Sequence, residues 1–331
     1  MLLGHVFERF AARTPFAVMS RSLLERTLTP ESLNTLFATA RAAAKDAGRK
    51  TAERTDAIRL LAFAPSVQTA ELFNALLDPA QPRPIQAAII QAISAQDDPN
   101  AGSVLVRQWT RLGPSLRSDV LDAILLRSQR VTALLDAVEK KNISAGEIEP
   151  ARRQALLKNT DDAIRIRAEK IFASQINPDR QRIIEHYTES VARLRGDSAR
   201  GALIFQGTCF QCHGQAANGN RVGPDLSTLE DRSPPTLLVA ILDPNREVKP
   251  IFVAYDVQTA DGRDYLGVIA GETSNSVTVR RAGGIDETIL RARIKSMRST
   301  NLSLMPDGLE AGINEQQMAD LLRYLQDFRG R

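Results

Sequence analysis

From about Glu31 to Leu194 apolar residues recur at helical spacing, interrupted every dozen or so positions by Pro, Gly or Asp/Asn turns. The pattern predicts helix after helix. Ile58, Leu61 and Ala62 share a face of AERTDAIRLLAFA, as do Leu72, Leu76 and Leu77 in AELFNALLD, and Ile85, Ile89, Ile90 and Ile93 in PIQAAIIQAIS. IQAAIIQAI from Ile85, SDVLDAILL from Ser118 and RRQALLKN from Arg152 align at offsets of 33 and 34 residues. Helical hairpins repeating at that period bury their apolar faces only by stacking on neighbours, so the expectation is an α-solenoid of HEAT or armadillo type. An irregular helical bundle is the alternative.

LRGDSA at Leu194–Ala199 breaks the pattern, and a different module begins at Arg200. Between Phe252 and Lys295 the text changes again, alternating β-branched or apolar with polar residues. A small antiparallel sheet is expected at about 252–295, its hairpins closed by Asp261-Gly262 and Gly283-Gly284.

At 331 residues the chain exceeds one ordinary core, which agrees with two domains, 1–199 and 200–331. With 43% hydrophobic and 25% charged residues the composition is that of a globular protein, and no run approaches the roughly eighteen apolar residues of a membrane span. The 43 basic and 39 acidic residues nearly balance, which disfavours nucleic acid as a partner. Glu8, Arg9 and Arg13 interrupt the start of the chain, where an export signal would need an unbroken apolar stretch.

There are two cysteines, three positions apart, too few and too close for a disulfide framework. They form CFQCH at Cys209–His213, the C-x-x-C-H pattern in which two thiols bond covalently to haem and the adjacent imidazole ligates its iron. A tetrahedral zinc site would need further ligands, and the other histidines, His5 and His186, are distant in sequence. A thioredoxin-type dithiol should follow a strand, whereas this pair follows the helix-like GALIFQ.

The segment resembles a class I cytochrome c domain. Gly201 and Phe205 match its G-x-x-x-F, where the glycine lets the last helix cross closely and the ring packs by the haem. GPDL at Gly223–Leu226 matches the loop whose proline carbonyl, here Pro224, accepts a hydrogen bond from the proximal imidazole, with Leu226 against the porphyrin. Met305 in SLMPDG is the expected sixth ligand, with Met297 as its competitor; Leu321 and Tyr324 should meet Gly201. Removing the sheet shortens the 92-residue interval between His213 and Met305 to that of a small c-type domain.

CFQCHG, GPDLST, ILDPNREVKP, TADGRDYLGVI and SLMPDGLEAG are also similar to the haem-binding domain of large planctomycete and verrucomicrobial membrane-associated dehydrogenase-like proteins. That resemblance implies HEAT-like repeats upstream and a dehydrogenase catalytic unit outside this chain, and it makes the chain a candidate fragment of a longer precursor. The resulting fold class is mainly α, an N-terminal α-solenoid of HEAT-like repeats followed by a class I cytochrome c domain with a β insertion. The expected cofactor is one covalent haem c held by Cys209, Cys212, His213, Phe205, Pro224, Leu226 and Met305, with His213 and Met305 on the metal. The expected role is single-electron transfer with a dehydrogenase donor or cytochrome acceptor, in the periplasm or elsewhere outside the cytoplasm. No catalytic constellation is visible. A haem enzyme or gas sensor with an open sixth site, or a protein-interaction scaffold, are the alternatives. Arg221 and Arg232 are candidates to neutralise propionates, and Arg291, Arg293, Lys295 and Arg298 form a basic cluster suited to an acidic partner or to a solvated strand face.

Overall fold

The computed structural model describes residues 21–96, 98–173, 177–214 and 221–328. His5, Met1, Met19 and the charged residues near the N-terminus lie outside them. The first part is helical: α1 Arg21–Thr27, α2 Pro30–Lys45, α3 Thr51–Leu61, α4 Ser66–Leu76, α5 Arg83–Ala95, α6 Ala101–Arg107, α7 Pro114–Leu125, α8 Ser128–Glu139, α9 Pro150–Leu157 and α10 Asp162–Ala173. Several of the prolines that punctuate the sequence begin helices. Pro30, Pro114 and Pro150 occupy first positions, where a missing N–H costs no intrahelical bond. Helices α3, α5 and α7 pack in one row, and α6, α8 and α10 in another.

Ile58, Leu61, Leu77, Ile85, Ile89, Ile90 and Ile93 are buried as their spacing predicts, while Ala62 and Leu72 are half-buried at the rim. Polar contacts between successive helix pairs recur at a nearly fixed separation: Arg111 to Asp78 at 33 residues, and Gln108 to Asn74, Arg130 to the Gln96 carbonyl and Arg152 to Ser118 at 34.

Five antiparallel strands, β1 Val253–Thr259, β2 Asp264–Glu272, β3 Ser276–Arg281, β4 Ile285–Leu290 and β5 Ile294–Ser303, lie in the order β4-β3-β2-β1-β5. Both expected turns form, with Gly262, Gly283 and Gly284 at φ of 84°, 80° and 73°, a region that side chains with a Cβ enter at a cost. The sheet extends past the expected limit of 295: β5 runs to Ser303 because it pairs with the whole length of β1. The sheet therefore leads directly to Met305.

One face of the sheet has its own core, including Tyr255, Val257, Val277, Val279 and Met297. The sheet also rests on the helical unit. Tyr255 donates its hydroxyl to the Leu112 carbonyl at 2.9 Å, and the buried Arg291 donates to the Pro79 carbonyl at 3.2 Å and pairs with Glu272 at 3.0 Å. Arg117 lies between the rings of Trp109 and Tyr255, 4.9 and 5.1 Å from their centroids, and is paired with the buried Glu147. Arg291 is thus a structural cation, and Arg293 turns to Asp261 instead, so the supposed basic cluster does not act as one surface.

The remaining helices, α11 Pro178–Val191, α12 Ser198–Thr208, α13 Phe210–His213, α14 Pro234–Leu242 and α15 Glu315–Asp327, enclose a third core. Ile184 and Tyr187 of α11 belong to it, so the core divides upstream of the boundary expected at 199. The periodicity of α11 resembles that of the preceding helices, and its partners are decided only by packing.

Helices α12 and α15 touch backbone to backbone at Gly201. A methyl there would lie 2.6 Å from the carbonyl carbon of Asp320 and 2.8 Å from Cβ of Tyr324, inside van der Waals contact. The buried Asp320 carboxylate locks the crossing, accepting from Arg200 Nε at 2.7 Å, Arg200 Nη2 at 2.8 Å, the Asp197 amide at 2.8 Å and Gln316 Nε2 at 2.9 Å. These donors, Arg200 foremost, hold its pKa below the usual carboxylate value.

Gly201→Ala should therefore destabilise the protein by about 2–3 kcal/mol or more in denaturant titrations, because the added methyl meets backbone that cannot swing aside. Gly207→Ala on the same helix, where an added Cβ meets nothing within 4 Å, should be neutral or stabilising by about 0.5 kcal/mol. A carboxylate with a lowered folded pKa contributes stability above its unfolded value, about 3.9, and loses it as pH falls through the folded value. Melting curves of wild type and Asp320→Asn should thus differ most at neutral pH and approach each other as the pH falls below the ordinary carboxylate value.

Candidate haem-attachment site

Helix α12 begins on an Asp197 cap that accepts from the Arg200 amide, and it delivers Phe205, 3% exposed, into the third core. It ends at Cys209. The chain continues at once into the single turn α13, in which the amides of Cys212 and His213 donate to the Cys209 carbonyl at 3.1 and 2.9 Å. One turn thus presents two thiols and an imidazole. Both thiols are free and half-buried. Burial pushes the Cys209 thiol up to about 11, assisted by Cys212, and raises Cys212 as well. That direction suppresses the thiolate on which a dithiol redox catalyst depends.

His213 Nδ1 lies 3.1 Å from the carbonyl oxygen of Pro224. A carbonyl only accepts, so Nδ1 carries the proton and Nε2 keeps its lone pair for a metal. Burial lowers the imidazole pKa, opposed by the Pro224 hydrogen bond, and so favours the neutral ring. Gly223 makes this contact possible: an added Cβ would sit 2.7 Å from His213 Cε1 and 2.9 Å from Nδ1. The ring packs against the glycine, with Cε1 nearest. The Gly223 amide also donates back to the Cys212 carbonyl at 2.9 Å, closing the loop onto the motif.

Leu226, Met305 and Cys209 are half-buried and pack against the same core as Phe205, so the tertiary structure brings these expected site residues to one apolar cluster. Met297, the competitor, is 1% exposed within the core of the sheet. Tyr324 meets Gly201 as expected, while the closest backbone belongs to Asp320 rather than to Leu321. Phe205 packs tilted against Tyr324 and Phe328, at 47° and 46°, while Tyr324 and Phe328 meet edge to face, all with centroids 5.3 to 5.6 Å apart. The residues present fit a c-type haem: free paired thiols, an oriented imidazole with a free Nε2, a thioether on a separate loop, and apolar side chains between them.

Two expected propionate partners are otherwise engaged. Arg232 donates Nε to the Leu229 carbonyl, Nη1 to those of Leu325 and Phe328, and Nη2 to those of Leu226 and Ser227. All five N–H groups are used, and the arginine staples the Leu226 loop to the C-terminus of α15, where the helix dipole favours a cation. Arg221 pairs with Asp225, but its Nε is buried without a hydrogen-bond partner. Sequence alone did not single out Gly223, Asp320 or the staple role of Arg232; the first was legible within GPDL, and the others are tertiary contacts. The turn Ala282–Gly284 between β3 and β4 packs against α13, which sequence gave no means to foresee.

Comparison with known proteins follows the same segment. The cytochrome c family model matches residues 198–266, from the start of α12 into β2. A cytochrome c-553-like protein of Synechocystis sp. is 33% identical over 81 residues, which is 24% of this chain and 76% of that protein. With its C-x-x-C-H turn, its proline-oriented imidazole and the Gly201 crossing, the chain belongs to the cytochrome c family.

Proposed function

We propose that the protein is a single-electron carrier that would hold one haem c through Cys209 and Cys212, with His213 and Met305 as the residues that would ligate its iron. The observation that carries this reading is the 3.1 Å contact between His213 Nδ1 and the Pro224 carbonyl, made by an imidazole fixed beside two free thiols. When bound, such a haem supplies reversible one-electron chemistry at its iron. The chain's own residues set the conditions. Pro224 fixes the tautomer of His213 and makes Nε2 more electron-rich, while the thioether of Met305, a soft donor, favours the reduced metal. Phe205, Leu226 and the side chains around them exclude water, which disfavours the more highly charged oxidised form.

Haem attachment of this type places the protein outside the cytoplasm, periplasmic in a Gram-negative cell. Among the described residues no helix is long and apolar enough to cross a membrane. The partner would be a dehydrogenase donor or a cytochrome acceptor. The helical unit serves as its docking scaffold in this reading, a HEAT-like solenoid; the two helix rows and the contacts repeating at 33 and 34 residues support that assignment.

Protein produced in a host with c-type haem maturation should give a sharp α band when reduced and a c-type pyridine haemochrome. Oxidised, it should show the weak near-infrared sulfur-to-iron band. Met305→Ala should abolish that band and lower the reduction potential, whereas Met297→Leu, a volume-conserving change within the sheet, should leave both unchanged. Colourless matured protein would overturn the proposal.

A further inference from the structure

We propose that Asn245 is the positioning residue for Met305, a single side-chain amide that grips the methionine loop on both sides. The inference rests on Met305 being an axial ligand. Between the end of β5 at Ser303 and the 3-10 turn Leu309–Gly312 the chain has no regular ladder, so its conformation depends on individual contacts. The Met305 amide donates to Ser303 Oγ at 3.0 Å. The Ser303 amide donates to Asn245 Oδ1 at 2.9 Å, and Asn245 Nδ2 donates to Asp307 Oδ2 at 2.9 Å. One amide therefore holds the residues two before and two after the methionine. A backbone N–H only donates and an ionised carboxylate only accepts, so the task requires an acceptor and a donor on one short side chain, which asparagine supplies.

A clamp works only if it is itself held. Asn245 sits in DPNRE, whose Asp243 is 5% exposed and accepts from Arg246 Nε at 2.9 Å. Arg246 Nη2 donates to Gln181 on α11 at 3.0 Å, and Glu247 pairs with Arg153 on α9 at 2.7 Å. Gly146 lies so close to this segment that an added Cβ would be 3.2 Å from the Arg246 carbonyl oxygen. The clamp is thus anchored to both the third core and the helical unit. The far end of the loop has separate anchors, Arg180 to Glu310 at 2.6 and 3.0 Å and the Tyr187 hydroxyl to the Ile313 carbonyl at 2.6 Å. Ser303 is also paired with Val253 in the sheet, but among the described residues Asn245 is the side chain that joins the two flanks of the thioether.

The test is the affinity of matured full-chain protein for imidazole, which competes for the sixth position. Asn245→Ala should keep the haemochrome spectrum and bind imidazole about tenfold more tightly, since about 1.4 kcal/mol of loop restraint is lost. Asn245→Asp should behave similarly, because it places a second carboxylate against Asp307. The double variant Asn245→Asp, Asp307→Asn exchanges donor and acceptor across the pair and should return the Kd to within about twofold of wild type. A merely structural role would lower the melting temperature and leave imidazole affinity unchanged; that result, with Met305→Ala still abolishing the near-infrared band, overturns the role of Asn245 alone. Persistence of the band in Met305→Ala would overturn the ligand assignment and this inference with it.

Discussion

The contact between helices α12 and α15 at Gly201 is the constraint on which the haem-binding fold rests. Two helices meet backbone to backbone only where one has no side chain, and the closeness of the crossing puts Phe205, Tyr324 and Phe328 in one aromatic cluster. Asp320 then fixes the rotation of the pair, because its carboxylate is buried and its four donors come from both sides of the crossing. Everything nearer the thiols inherits its position from this junction: α12 ends at Cys209, and Arg232 ties the Leu226 loop to the last turn of α15.

The turn Cys209–His213 brings three of the proposed haem-holding groups from five consecutive residues, but the other proposed groups come from far away in sequence. Pro224 arrives by a loop closed on Cys212, and Met305 arrives at the end of a five-stranded sheet. That sheet is not a loose excursion. Arg291, Tyr255 and Arg117 seat it on the helical unit through buried polar groups whose hydrogen bonds cross the junction, and buried polar groups left unpaired would be costly. The methionine loop is consequently suspended between the haem-binding core and the helical unit rather than closing a small independent domain.

The chemistry of the site was legible in the sequence because it is local. C-x-x-C-H needs only one helical turn, G-x-x-x-F one helix face, and the Gly and Pro of GPDL act on an imidazole ten and eleven residues away. The hairpin turns at Gly262 and at Gly283-Gly284 were equally readable, since a left-handed backbone favours glycine regardless of context. Helical periodicity likewise marked the buried faces of α3, α4 and α5. What the sequence left open was allegiance. Helix α11 carries the same pattern as its predecessors yet packs in the third core, and β5 outran its alternating text because pairing with β1, not composition, sets its length. Arg232 read as a propionate partner and Arg291 as part of a basic cluster, but tertiary folding surrounded each with carbonyls or carboxylate. Long-range polar contacts such as Asp320 with Arg200 and Asn245 with Asp307 join residues whose sequence neighbours say nothing of one another, so only the assembled fold could decide them.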